Sequence, residues 1–121
     1  MTLVDSSCWI ELLTDGRHAD KIDEIISQEE VVVPTVVLYE VYRQLIKKID
    51  AEEALLAVTQ LEEMKVVPLD SELSLYAAEL SLKHKLGTAD AVIYATALNH
   101  QAEVITCDND FRLLPHCRVI E

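Results

Sequence analysis

The chain has 121 residues, with 10 Lys+Arg against 22 Asp+Glu, a formal charge of −12 and 50% hydrophobic residues. That length is one domain's worth, and the apolar half excludes an acidic disordered chain, which would lack the Val, Ile and Leu that build a core. Taken as a total, −12 also argues against nucleic acid, which is bound through Lys and Arg.

Thr2-Leu3-Val4 is a short strand, after which Ser6 or Ser7 caps a helix through Leu13 with Trp9, Leu12 and Leu13 on one face. Ile22, Ile25 and Ile26 mark a second helix ending near Glu30, and Val31-Val32-Val33 a second strand. Pro34 and Thr35 open a third helix, with Val37, Leu38, Val41, Leu45 and Ile49 at helical spacings. Asp50 with Glu53 forms a capping box for a fourth helix carrying Leu55, Val58 and Leu61. Val66-Val67 is a third strand, and Asp70 caps a fifth helix through Leu86, with Gly87 as its stop. Thr88 caps a sixth helix with Ala91, Val92, Ala95 and Leu98 inward. Val104-Ile105-Thr106 is a fourth strand and Arg118-Val119-Ile120 a weaker fifth.

The strands are continuous rather than alternating in hydrophobicity, which is the pattern of strands buried on both faces. Strands separated by helices predict parallel pairing with right-handed crossovers, hence a three-layer α/β/α domain over residues 1–121. The apolar stretches Val31 to Tyr39 and Ala91 to Leu98 fall short of the ~20 residues a bilayer span needs. No cationic start with an apolar h-region is present, so neither membrane association nor secretion is expected. Cys8, Cys107 and Cys117 are odd in number and contain no CxxC pair. That points away from a disulfide framework or thiolate zinc site and towards the reducing cytoplasm; the three read as small buried hydrophobes.

Ligands of such sheets bind at the carboxyl ends of the strands, and there the acids are unusual. Asp5 follows the first strand, Glu40 interrupts the apolar run Val36-Val37-Leu38-Tyr39-Glu40-Val41, Asp90 lies between Ala89 and Ala91, and Asp108 follows the fourth strand. Surface acids have polar neighbours, as Glu52-Glu53 and Glu62-Glu63 do, whereas a carboxylate on a buried face is costly unless paired or bound to a cation. Converging carboxylates without Lys or Arg would repel one another, and a hard divalent ion with a preference for oxygen relieves this. No His is adjacent to these acids in the chain, which favours Mg²⁺ or Mn²⁺ over zinc or copper.

Leu3-Val4-Asp5-Ser6-Ser7-Cys8-Trp9-Ile10, Glu40 in its helix, Gly87-Thr88-Ala89-Asp90-Ala91-Val92-Ile93-Tyr94-Ala95-Thr96-Ala97 and Thr106-Cys107-Asp108-Asn109-Asp110-Phe111 together resemble the four motifs of the PIN domain. Length and opening motif are most similar to the VapC-type toxins of toxin–antitoxin pairs. The resemblance implies a Mg²⁺- or Mn²⁺-dependent ribonuclease with a five-stranded parallel sheet, a cognate antitoxin and commonly a homodimer. It carries over Asp5, Glu40, Asp90 and Asp108 as catalytic acids and metal ligands, Asp110 as an auxiliary ligand, and Ser6 and Thr106 as hydroxyls that orient carboxylates or touch phosphate. The implied reaction is hydrolysis of an RNA phosphodiester to a 5′-phosphate and a 3′-hydroxyl, with one or two ions.

RNA still requires cations. Arg43 and Lys47 share the helical face of Glu40, Lys83 and Lys85 precede the turn to Asp90, and Arg112 follows the fourth motif. Arg43, Lys47, Lys85 and Arg112 are the expected RNA contacts, with the excess acid on remote helices. Taken singly, the acids have plainer readings: Asp5 as a helix cap, Asp90 as a first-turn acid on the helix dipole, Asp108 as a turn former. His18, His84, His100 and His116 read as solvated, the tyrosines as packing residues, and Tyr42 as the most exposed of them. Two alternatives to a toxin remain: a housekeeping RNA-processing nuclease without an antitoxin, and a PIN-type binding module without activity. A receiver-type phospho-acceptor would require paired acids at the first strand and a Lys after the fifth, and has neither.

Overall fold

A computed structural model describes all residues 1–121. The elements run β1 (Thr2–Val4), α1 (Ser6–Leu13), α2 (Ala19–Ile26), β2 (Val31–Pro34), α3 (Thr35–Ile46), α4 (Ala51–Glu62), β3 (Lys65–Val67), α5 (Ser71–His84), α6 (Thr88–Asn99), β4 (Glu103–Thr106), a 3₁₀ turn (Asn109–Phe111) and β5 (Cys117–Val119). The five strands form one parallel sheet in the order β3-β2-β1-β4-β5. This is the three-layer α/β/α arrangement expected from the alternation of strand and helix.

The order reverses direction at β1. The chain first steps outward from β1 to β2 to β3, then returns to place β4 on the other side of β1. Right-handed crossovers running in opposite directions deposit their helices on opposite faces. Accordingly α1 packs on α2 and α3, and α3 on α4, while α5 and α6 pack on each other. Leu3, Val4, Val32, Val33, Val104 and Ile105 are completely buried between these layers, each contributing roughly 1.5–3 kcal/mol of apolar burial. The edge strands are less covered and carry exposed Lys65 and Arg118, charges that oppose further strand addition. Helix α6 is buried at every position from Ala91 to Ala97, which is why its sequence is apolar all round rather than amphipathic.

Several boundaries differ from the sequence-based expectation, for local reasons. The cap of α1 is Asp5 rather than Ser6 or Ser7: its Oδ1 accepts from the Cys8 amide at 3.1 Å. Helix α2 stops at Ile26 rather than near Glu30, and Ser27 Oγ donates back to the Glu24 carbonyl at 2.8 Å. Helix α3 stops at Ile46, short of Ile49, because Asp50 must be extended (φ −71°, ψ 159°) to cap α4. Helix α5 is closed by Lys85 in the left-handed conformation (φ 57°, ψ 48°), with Ser81 Oγ donating to the Leu86 carbonyl at 2.6 Å. Gly87 is therefore not the stop of α5 but the extended N-cap of α6, in place of Thr88. The last strand is Cys117–Val119, one residue earlier than Arg118-Val119-Ile120.

Candidate active site

The reversal of strand order opens a crevice between the carboxyl ends of β1 and β4, the position at which open parallel sheets bind ligands. Asp5 leaves β1 there, and its backbone N–H donates to the Ile105 carbonyl of β4 at 3.0 Å. Asp5 is 4% exposed, and both carboxylate oxygens are engaged. Oδ1 accepts from Ser7 Oγ at 2.6 Å and from the Cys8 amide, and Oδ2 accepts from Thr106 Oγ1. Thr106 Oγ1 in turn accepts from the Asp108 amide at 2.9 Å, so one hydroxyl ties the Asp5 carboxylate to the chain carrying Asp108.

Glu40 is half-buried on α3, and Ser6 Oγ donates to its Oε1 at 3.0 Å. Asp90 projects from the first turn of α6. Carboxylate oxygens of Asp90, Asp108 and Asp110 lie within 4.8 Å of one another. Asp108 caps the 3₁₀ turn by accepting from the Asp110 amide at 2.9 Å. The fold thus brings five acids from β1, α3, α6 and the segment after β4 to one crevice.

No cation of the protein compensates them. Its ion pairs engage Glu11, Glu29, Glu30, Glu103 and Glu121, none of the five. The titration behaviour shows the consequence. Burial pushes the Asp5 carboxyl up, against the lowering hydrogen bonds from Ser7, Thr106 and Cys8, with the Asp108 charge adding to the rise. Burial also raises Glu40, against the Ser6 hydrogen bond and together with the Asp5 charge. Asp90 is pushed up to about 6 by burial and then by the charges of Asp108, Glu40, Asp5 and Asp110.

The cations expected at the rim are less uniform. Arg43 is exposed one turn beyond Glu40, Lys47 is exposed at the end of α3, and Lys85 is exposed at the left-handed cap ahead of α6. None of these three is ion-paired, whereas Arg112 pairs with Glu121 and donates to Asn109 Oδ1 at 2.7 Å.

Three sequence-based expectations need correction here. The exposed tyrosine of this region is Tyr39, at 65%, while Tyr42 packs partly into the core. Three of the four histidines are not free in solvent: His18 bonds Glu11, His84 stands edge-on to Tyr94, and His100 bonds the Thr96 carbonyl. Of the cysteines, Cys8 is buried as read, but Cys107 and Cys117 are only partly so. Ser7 does not stand out in the sequence, yet it joins Asp5 to the Cys107 amide, which donates to Ser7 Oγ at 3.1 Å. Its position two residues after an Asp N-cap is the available local signal.

The sequence profile of the PIN domain family matches residues 2–116. The chain belongs to the PIN domain family. Among solved structures, this PIN domain is similar to a toxin–antitoxin complex from Klebsiella pneumoniae, with TM-score 0.84, 22% identity, and coverage of 98% of this chain and 97% of that one. It is also similar to VapC20 from Mycobacterium tuberculosis, a toxin that cleaves the sarcin–ricin loop, with TM-score 0.78, 17% identity and coverage of 95% of both chains. VapBC-1 from nontypeable Haemophilus influenzae matches with TM-score 0.76, 19% identity and coverage of 99% and 96%. At these identities the likeness establishes the fold. Sequence comparison with curated proteins gives no match. No helix of this PIN domain is long and apolar enough to cross a membrane.

Proposed function

We propose that this PIN domain is a divalent-metal-dependent endoribonuclease and the toxin of a type II toxin–antitoxin pair. The observation that carries the proposal is the convergence of five carboxylates on the β1/β4 crevice with no Lys or Arg to neutralise them. Their donor set is oxygen throughout, which fits Mg²⁺ or Mn²⁺. Asp5, Glu40, Asp90 and Asp108 would hold the ion, with Asp110 at the rim. When bound, such an ion supplies Lewis acidity towards phosphate oxygens and water.

The rest of the work falls to the chain's own residues. Ser7 and Thr106 fix Asp5, and Ser6 fixes Glu40, so the carboxylate orientations are set before substrate arrives. Asp90 Oδ holds a proton until neutral pH is approached. A cation held there would favour the ionised carboxylate. Arg43, Lys47 and Lys85, which carry no internal ion pair, would meet RNA phosphates; Arg112 would first have to leave Glu121.

The similar structures include toxin–antitoxin complexes, and an antitoxin segment bearing Arg or Lys would complement this acidic crevice. A second copy would cover the leucines Leu75 and Leu82 of α5, which lie seven residues apart on one face and are 72% and 85% exposed. The test is sequencing of RNA ends after controlled expression of this chain and of its Asp5→Asn variant. Defined 5′-phosphate ends that require Asp5 support the reading; identical end profiles from both chains overturn it.

A further inference from the structure

A second donor cluster differs in chemistry from the carboxylates of the crevice. Glu11 is on α1, His18 immediately precedes α2, and Cys107 follows β4. One ligand atom from each lies within 4.8 Å of the others. Glu11 Oε1 and His18 Nδ1 are 3.0 Å apart, and the other ring nitrogen, Nε2, is buried without any hydrogen-bond partner. Cys8, one turn before Glu11 on the same helix, places its Sγ 3.3 Å from that of Cys107. This is well beyond a disulfide bond of about 2.05 Å, and both cysteines are free.

The local backbone makes room for this cluster. A Cβ on Gly16 would come within 1.7 Å of Glu11 Oε2, so the absence of a side chain at Gly16 lets the Glu11 carboxylate turn inward towards His18. Oxygen, nitrogen and sulfur donors from three separate segments thus lie within 4.8 Å of one another, and the same imidazole keeps a buried nitrogen without a partner, which costs about 1–3 kcal/mol.

We propose that Cys107, His18 and Glu11 form a binding site for a borderline-soft divalent ion of the zinc class, distinct from the all-carboxylate cluster. Thiolate, imidazole and carboxylate are the donors such ions select, whereas Mg²⁺ takes oxygen and leaves thiols alone. The donors come from α1, the α1–α2 connection and the end of β4, so an ion there staples that corner of the fold onto the sheet. It also bears on the crevice, because Cys107 sits between Thr106 and Asp108, and its amide donates to the Ser7 hydroxyl that holds Asp5. Binding exchanges the thiol proton of Cys107 for the ion.

Cobalt(II) is the probe, added to the reduced protein in the presence of excess Mg²⁺ to occupy the carboxylates. The expected result is stoichiometric binding with a thiolate-to-cobalt charge-transfer band. The band is expected to disappear in Cys107→Ser, to need at least about tenfold more cobalt in His18→Ala, and to be unchanged in Cys117→Ser. Cobalt binding without that band in the wild type, or a band of equal strength in Cys107→Ser, overturns the proposal. Should Cys107→Ser fail to fold by circular dichroism, alkylation of the wild-type protein decides. Zinc is expected to slow labelling of Cys107 and leave Cys117 unaffected, and equal labelling of Cys107 with and without zinc refutes the site.

Discussion

Replacing Asp90 with Asn tests the charge crowding of the crevice through stability. The Asp90 carboxyl is pushed from the ordinary 3.8 to about 6 by burial and by four neighbouring acids. Between those values the folded chain holds a proton that the unfolded chain has lost, so stability of the metal-free protein falls as pH rises through that window. Above about 6 the fold carries the full penalty of a charged Asp90. At about 1.4 kcal/mol per pH unit the rise sets a ceiling of about 3 kcal/mol. Asp90 is only half-buried, and solvent screening lowers the working figure to about 1–2 kcal/mol. Asn has nearly the same shape and no charge. Asp90→Asn is therefore expected to be more stable than the wild type by about that amount at neutral pH without metal, with the difference shrinking as pH is lowered towards 3.8. Urea denaturation followed by circular dichroism measures it. Magnesium should then stabilise the wild type, by about 2.7 kcal/mol at a hundredfold excess over its Kd, and stabilise the variant less. A variant that is no more stable without metal, and gains as much from magnesium as the wild type, refutes the reasoning.

Asp5→Asn keeps an oxygen to accept from the Cys8 amide, so it should fold while metal-dependent RNA cleavage drops by at least about a hundredfold, the scale of one electrostatic catalytic group; a gel assay with purified protein reads this. Replacing both Arg43 and Lys47 by Gln should weaken RNA binding and reduce the slope of log affinity against log salt by about 1.4, from two lost phosphate contacts at about 0.7 each. Filter binding across a salt series checks it, and an unchanged slope removes both residues from the interface. Gly87 is extended (φ −67°, ψ 170°) and caps α6 without a side chain, and a Cβ at this position would meet nothing within 4 Å. Gly87→Ser should therefore raise stability by about 0.5–1 kcal/mol, through a less flexible unfolded chain and a new cap. Thermal denaturation with an unchanged or lower midpoint would contradict that account.

Local residue pattern determined much of this molecule. Continuous β-branched runs separated by amphipathic segments specify a buried parallel sheet, and four of the five strands lie where those runs are. Glu40 stands out because an acid inside an apolar helix face has no local explanation. Asp5 is readable either as a cap or as a ligand; in the structure it caps α1 with one oxygen while Thr106, 101 residues later, bonds the other. No local rule connects those two positions. Helix ends depart from the local pattern where a neighbouring element makes the decision: Gly87 starts α6 rather than closing α5, and α3 ends at Ile46, ahead of the Asp50 cap of α4.

What only tertiary structure decided is the company each side chain keeps. The reversal of strand order at β1 brings Asp5 and Asp108 to one crevice, and α3 and α6 then deliver Glu40 and Asp90 to it. The same closure sets His18 against Glu11 and Cys8 against Cys107, pairings that residue spacing gives no reason to expect. Secondary structure follows from short-range periodicity and is written along the chain. Electrostatic crowding depends on distance in space, and the long-range packing of strands and helices creates it.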